Sequence, residues 1–120
     1  MPLIKAGDIN IYYEIYGQGK PLVLLMGLGC HSGLWPYQVT EFSKSFQVIV
    51  IDNRGVGRSD KPAGDYSIEM MADDTATLLE ALGIPKAHIL GMSMGGAIAQ
   101  RFALRYPQML DKLVLACTFS

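Results

Sequence analysis

Four short apolar runs constrain this chain more than any other feature. Leu22-Val23-Leu24-Leu25-Met26 ends at Gly27, and Val48-Ile49-Val50-Ile51 ends at Asp52. Ala87-His88-Ile89-Leu90 ends at Gly91, and Leu113-Val114-Leu115-Ala116-Cys117 has the same form. Short apolar runs, β-branched in part, are what strands buried on both faces of a parallel sheet require. Two other strands precede them. Leu3 to Ala6 leads through Gly7-Asp8 to a stretch in which Ile9, Ile11, Tyr13 and Ile15 alternate with Asn10, Tyr12, Glu14 and Tyr16. A period of two predicts a half-buried, antiparallel strand, closed by Gly17-Gln18-Gly19-Lys20-Pro21.

Helical patterns fall between the runs. Ser67 can cap a helix in which Ile68, Met71, Thr75, Leu78, Leu79 and Leu82 share a face, with Gly83 and Pro85 to stop it. Ser93 to Tyr106 reads as a second helix, with Ala97, Ile98, Arg101, Phe102 and Arg105 at helical spacing and Pro107 as terminator. Leu34 to Lys44 reads as a shorter one, with Pro36 in its first turn. Strands that alternate with helices predict an α/β fold built on a mostly parallel sheet.

With 120 residues, no repeats and no linker-like stretch, residues 1–120 are expected to belong to one domain. The formal charge is −1, and no two of the ten Lys and Arg are adjacent. That excludes the basic footprint of a nucleic-acid binder or of a protein drawn to an anionic membrane. No apolar stretch approaches the roughly 20 residues that cross a bilayer. The first eight residues do not resemble a signal peptide. Cys30 and Cys117 have neither a disulfide framework nor metal-ligand spacing, so two reduced thiols and a cytoplasmic address are the expectation.

The chemistry is carried by Gly91-Met92-Ser93-Met94-Gly95-Gly96. The pattern G-x-S-x-G is common by itself, but here a buried strand ends where a helix begins. A serine on such a turn is held in a strained backbone, so its neighbours must be small, and Gly91 and Gly95 supply the space. The helix N-terminus directs free N–H groups and a positive dipole end at the reacting oxygen.

This segment resembles the nucleophile elbow of the α/β-hydrolase family. Leu24-Leu25-Met26-Gly27-Leu28-Gly29 resembles that family's oxyanion loop after the third strand. Asp52-Asn53-Arg54-Gly55-Val56-Gly57-Arg58-Ser59 resembles its D-x-R-G-x-G-x-S turn after the fourth. The resemblance implies Ser93 as nucleophile and the backbone N–H groups of Leu28 and Met94 as the oxyanion hole. It implies hydrolysis of an ester or related acyl bond through an acyl-serine, with no metal or organic cofactor. Met26 stands where many members have His, which implies a more apolar mouth. Arg54 and Asp52 are expected to hold their own loop, and Trp35, Tyr37 and Phe42 to pack.

A serine needs a base and an acid to orient that base. In this family they follow the serine, as acid and then His. After Ser93 the chain offers Asp111 and no histidine, and His31 and His88 both precede it. His88 is expected too far down its strand to reach Ser93, and Asp111 to lie at the surface. The resemblance therefore implies the N-terminal half of a hydrolase, with an alternative as a non-catalytic or complementing half. It also implies the strand order 1-2-4-3-5-6-7-8, so the run from Leu113 to Cys117 would end the sheet. That run has no charge, proline or bulge to blunt an edge, so self-association or pairing with a missing C-terminal half is expected. A rival reading takes Gly27-Leu28-Gly29 and Asp52 as a dinucleotide-binding unit, although its third glycine is one place late.

Overall fold

The structure is a computed structural model, and it describes residues 3–6, 9–25, 41–51, 67–92 and 94–116. Six strands form one sheet: β1 (Leu3–Ala6), β2 (Ile9–Tyr16), β3 (Lys20–Leu25), β4 (Phe46–Ile51), β5 (Ala87–Met92) and β6 (Leu110–Ala116). Their order is β1-β2-β4-β3-β5-β6, as the resemblance implies for the first six strands. β1 with β2 and β2 with β4 are antiparallel; β4 with β3, β3 with β5 and β5 with β6 are parallel. Pro21 lies in β3 before the ladder to β5 begins at Leu22, so its missing N–H breaks no bond on that side.

Two helices, α1 (Ile68–Ala81) and α2 (Met94–Arg105), cover one face of this sheet. Their apolar stripes meet Val23 and Leu25 of β3, Ile49 and Ile51 of β4, and Ile89 of β5 in a single core. α1 starts where the Ser67 hydroxyl accepts the Met70 N–H at 3.1 Å. It ends in a Schellman motif: Gly83 N–H donates to Glu80 C=O at 3.0 Å and Ile84 N–H to Leu79 C=O at 2.9 Å. Gly83 takes φ +72°, which makes glycine the residue of choice there.

Alternate residues of the strands point to the opposite face, where Leu22, Leu24, Val48 and Val50 are buried and Phe42, Phe46, Leu90 and Met92 pack against them. Of the helix expected from Leu34 to Lys44, Glu41 and Phe42 are helical and residues 43–45 form a turn. Residues 34–40 lie outside the described part, as do Met26, the Arg54 turn and Cys117.

Several elements differ from their sequence expectation: β3 takes in Lys20 and Pro21, read as part of the turn after β2, and β4 starts two residues early at Phe46, because both positions pair in the parallel β3–β4 ladder. β2 does not alternate cleanly. Ile11 and Tyr12 are both buried, whereas Ile15 and Tyr16 are exposed, so burial follows position along the strand rather than its pleat. β5 runs two residues past Leu90 and takes in Gly91 and Met92. β6 starts three residues early, at Leu110, and so contains Asp111 and Lys112. Its pairing to β5 slips there: Ala87 faces Leu110 but Ile89 faces Leu113. This outer strand is therefore blunted at its start by a bulge and two charges, the devices that it was expected to lack.

A polar clamp ties the two helices together. Arg105 donates from Nε and Nη2 to the two Asp73 carboxylate oxygens at 2.9 and 3.2 Å, and Tyr106 donates its hydroxyl to Oδ1 at 2.5 Å. The hydrogen bond to Asp73 is the main cause of a Tyr106 pKa above the ordinary phenol value, and partial burial adds to it. A folded-state pKa above the unfolded one stabilises the fold below about pH 10, and this stabilisation is lost as pH rises through the folded value. Tyr106→Phe should lower the melting midpoint at pH 7 by an amount worth about 1 kcal/mol. Thermal melts at pH 7 and pH 11.5 should show the gap between the two proteins closing at the higher pH.

Candidate active site

β5 passes into α2 through one residue. Met92 ends the strand, Met94 opens the helix, and Ser93 between them lies outside the described residues. So short a passage presses the first turn of α2 onto the strand. A Cβ built on Gly91 would meet the Gly95 carbonyl oxygen at 2.4 Å and the Gly96 Cα at 2.8 Å, both backbone atoms that cannot swing away. Gly91, Gly95 and Gly96 are all buried. The glycine-flanked motif thus sits at a backbone-to-backbone crossing of strand and helix. An N-cap serine would require no such crossing.

Met94 is the first residue of α2, so its N–H has no acceptor within the helix, like those of the residues after it. The helix dipole adds its positive end at this point. α2 is held on the sheet by Ile98, Ala99 and Phe102, all fully buried. Leu28, His31 and Arg54 fall outside the described residues, so of the expected oxyanion donors only the position of Met94 is described.

The histidine and the acid that the sequence left without partners meet each other. His88 Nε2 lies 3.8 Å from Asp111 Oδ2, with side-chain exposures of 13% and 39%. Phe46 packs edge-on against the imidazole, with 5.8 Å between ring centroids. The other ring nitrogen, Nδ1, is buried and has no hydrogen-bond partner among the described residues. A histidine beside a carboxylate suggests two thirds of a triad, but the position excludes it. His88 stands four residues before Met92, the last residue of β5, about 13 Å back along the strand and so at its opposite end from the passage into α2. Nothing local in the sequence could reveal this pair, because Asp111 reaches His88 only through the slipped β5–β6 pairing. Among the described residues no three His, Cys, Asp or Glu side chains gather as a metal site would require.

A family model described as the alpha/beta hydrolase fold matches residues 20–120. The chain belongs to the α/β-hydrolase family. It is 39% identical over 115 residues to RutD of Azorhizobium caulinodans, a candidate carbamate hydrolase, a match that covers 96% of this chain and 43% of that protein. It is similar to 3-oxoadipate enol-lactonase 2 of Acinetobacter baylyi, 34% identical over 117 residues, covering 96% of this chain and 44% of the relative. Among solved structures it superimposes on Est816, an N-acyl homoserine lactone degrading enzyme, with a TM-score of 0.93 and 40% identity, over 98% of this chain and 45% of that one. The α/β-hydrolase chain thus spans less than half the length of these relatives.

The strand order also disposes of the dinucleotide-binding reading. There the second strand of the unit lies between the first and third. In this hydrolase sheet the first of the three, β3, lies between β4 and β5. No described helix is long and apolar enough to cross a membrane.

The Gly91 crossing is directly testable. Gly91→Ala forces backbone to move at the elbow, so it should cost about 1–3 kcal/mol, as overpacking does. Denaturant melts should show this loss, and an unchanged midpoint would mean that α2 does not rest on β5 at Gly91.

Proposed function

We propose that this chain carries the nucleophile of a serine hydrolase that acts on an ester or related acyl bond. Ser93 gives its proton to the base and attacks the carbonyl carbon; the bond from that carbon to its heteroatom breaks, the alcohol or amine leaves with the proton, and water then cleaves the acyl-serine ester to release the acid and restore the serine. The backbone N–H groups of Met94 and Leu28 receive the oxyanion, and no metal or organic cofactor takes part. The observation that carries this reading is the one-residue passage from β5 to α2 with Gly91 pressed on the helix backbone. A residue followed directly by a helix N-terminus has that helix's free N–H groups as neighbours in the chain, the donors that an oxyanion requires.

The names of the relatives point to the substrate class. A carbamate, an enol-lactone and an acyl homoserine lactone all present a carbonyl bonded to a heteroatom. The substrate here is read as a small ester, lactone or carbamate, and the site of action as the cytoplasm.

The general base and its acid come from polypeptide outside these 120 residues, on the same chain or on another. The His88–Asp111 pair supports this reading, because it occupies the far end of β5. The 120 residues by themselves then act as a complementing half rather than an enzyme. Triad residues act as a unit, so Ser93 without its base accelerates little.

The experiment compares hydrolysis of p-nitrophenyl acetate by this chain and by Ser93→Ala. Alone, the two should be indistinguishable. When the part of the A. caulinodans relative that lies outside the match is fused to the chain or added to it, turnover should exceed that of Ser93→Ala by about 10³-fold or more. Turnover that does not depend on Ser93 would overturn the assignment. Strong Ser93-dependent turnover by the 120 residues alone would overturn the claim that the base lies outside them.

A further inference from the structure

The crossing of β5 by α2 leaves one coordinate of the helix unset. Gly91, Gly95 and Gly96 let the two backbones touch, but a surface without side chains has no ridge to lock into a groove. The crossing fixes how near α2 comes to β5, not where α2 stops along its own axis. Ile98, Ala99 and Phe102 hold the helix on the core, and apolar contact of this kind is not directional. An axial shift would carry the free N–H of Met94 with it, because Met94 is the first residue of the helix.

The directional contacts lie at the other end. Asp73 accepts two Arg105 nitrogens and the Tyr106 hydroxyl on one carboxylate. One turn nearer the elbow, Arg101 Nε lies 3.2 Å from Glu69 Oε1. Glu69 and Asp73 are four residues apart on α1, as are Arg101 and Arg105 on α2, so the two pairs are successive rungs of one ladder. A shift of α2 in either direction strains both rungs together. The Asp73 rung is the stricter, since a bidentate guanidinium–carboxylate pair is geometrically specific. α1 is itself anchored, for Met71, Ala72, Thr75, Ala76, Leu78 and Leu79 are buried.

We infer that Asp73 is a positioning residue for the hydrolase reaction: through Arg105 and Tyr106 it sets the axial position of α2, and so the place of the Met94 N–H at the elbow. The helix has 12 residues, so the clamp acts from about 16 Å away. The inference rests on the reading of the Met94 N–H as an oxyanion donor. Such a donor must meet the oxyanion at about 2.7–3.1 Å, so a small axial shift is felt in the rate.

The test takes two readouts on Asp73→Ala, with Asp73→Asn as the milder variant and Ile11→Val as a control. Ile11 is a fully buried residue of β2, which β4 and β3 separate from β5, so its truncation lowers stability without touching the clamp. The first readout is the amide resonances of Gly91, Gly95 and Gly96 in the 120-residue chain. In Asp73→Ala they should move by more than their line width, in Asp73→Asn by less, and in Ile11→Val they should stay in place. The second is turnover of p-nitrophenyl acetate by the chain completed with the part of the A. caulinodans relative outside the match, at a temperature where every variant is folded. Asp73→Ala should lower kcat at least about 10-fold with KM little changed, and Ile11→Val should leave both as they are. Glycine resonances that do not move in Asp73→Ala overturn the inference, whatever the activity. So does an unchanged kcat, or one that falls equally in Ile11→Val, which is the mark of a merely structural role. Moved resonances together with turnover that does not depend on Ser93 overturn the functional reading, while the axial setting of α2 by Asp73 stands.

Discussion

The contact between the backbone of β5 at Gly91 and the backbone of α2 at Gly95 and Gly96 governs the arrangement of the rest. Strand and helix can approach so closely only because the strand presents a residue without Cβ. That approach brings the start of α2 to the carboxyl end of the central strands, with its free N–H groups beside the one residue that joins the two elements. The remainder of α2 then follows the sheet, and Phe102, Ile98 and Ala99 are driven into the core shared with α1. Asp73 of α1 grips Arg105 and Tyr106 at the far end of α2, so the helix is fixed at both ends.

This arrangement separates the two ends of β5 by role. At its carboxyl end lie the elbow glycines and the helix N-terminus. At its amino end, on the other face, His88 contacts Asp111 and Phe46. The side chains of a His–acid pair are present in this α/β-hydrolase chain, but at the end of β5 away from its passage into α2. Proximity to each other is not enough for a relay. The base must also lie within hydrogen-bond reach of the nucleophile. What the pair does is to bridge β5 and β6 across the slip in their pairing.

The candidate site was unusually legible, because its requirements are local. A tight strand-to-helix passage demands small residues at fixed offsets from the serine, and these stand next to one another in the chain. The fold class was legible for a similar reason. Runs buried on both faces and helices with one apolar stripe each carry their own period. The presence of six strands, the cap at Ser67 and the stop at Gly83 could be read from the residues, though the ends of β3, β4, β5 and β6 could not, and the strand order followed from the resemblance.

The rest was decided by pairings between residues far apart in the chain. The start of β6 was read three residues late because Asp111 and Lys112 look like loop residues. Only the ladder to β5 draws them into the strand, and it does so at the cost of a slip. The even alternation expected of β2 gave way to a gradient of burial along the strand, since what covers a strand is set by its neighbours. The clamp of Asp73 with Arg105 and Tyr106 joins residues more than thirty positions apart, and no spacing rule anticipates it. By itself, then, the sequence determined the elements, their caps and the glycines of the β5–α2 passage, because each depends on neighbours along the chain. Only the tertiary structure decided which histidine meets which acid and how the β5–β6 pairing slips, because both depend on what the folded sheet places side by side.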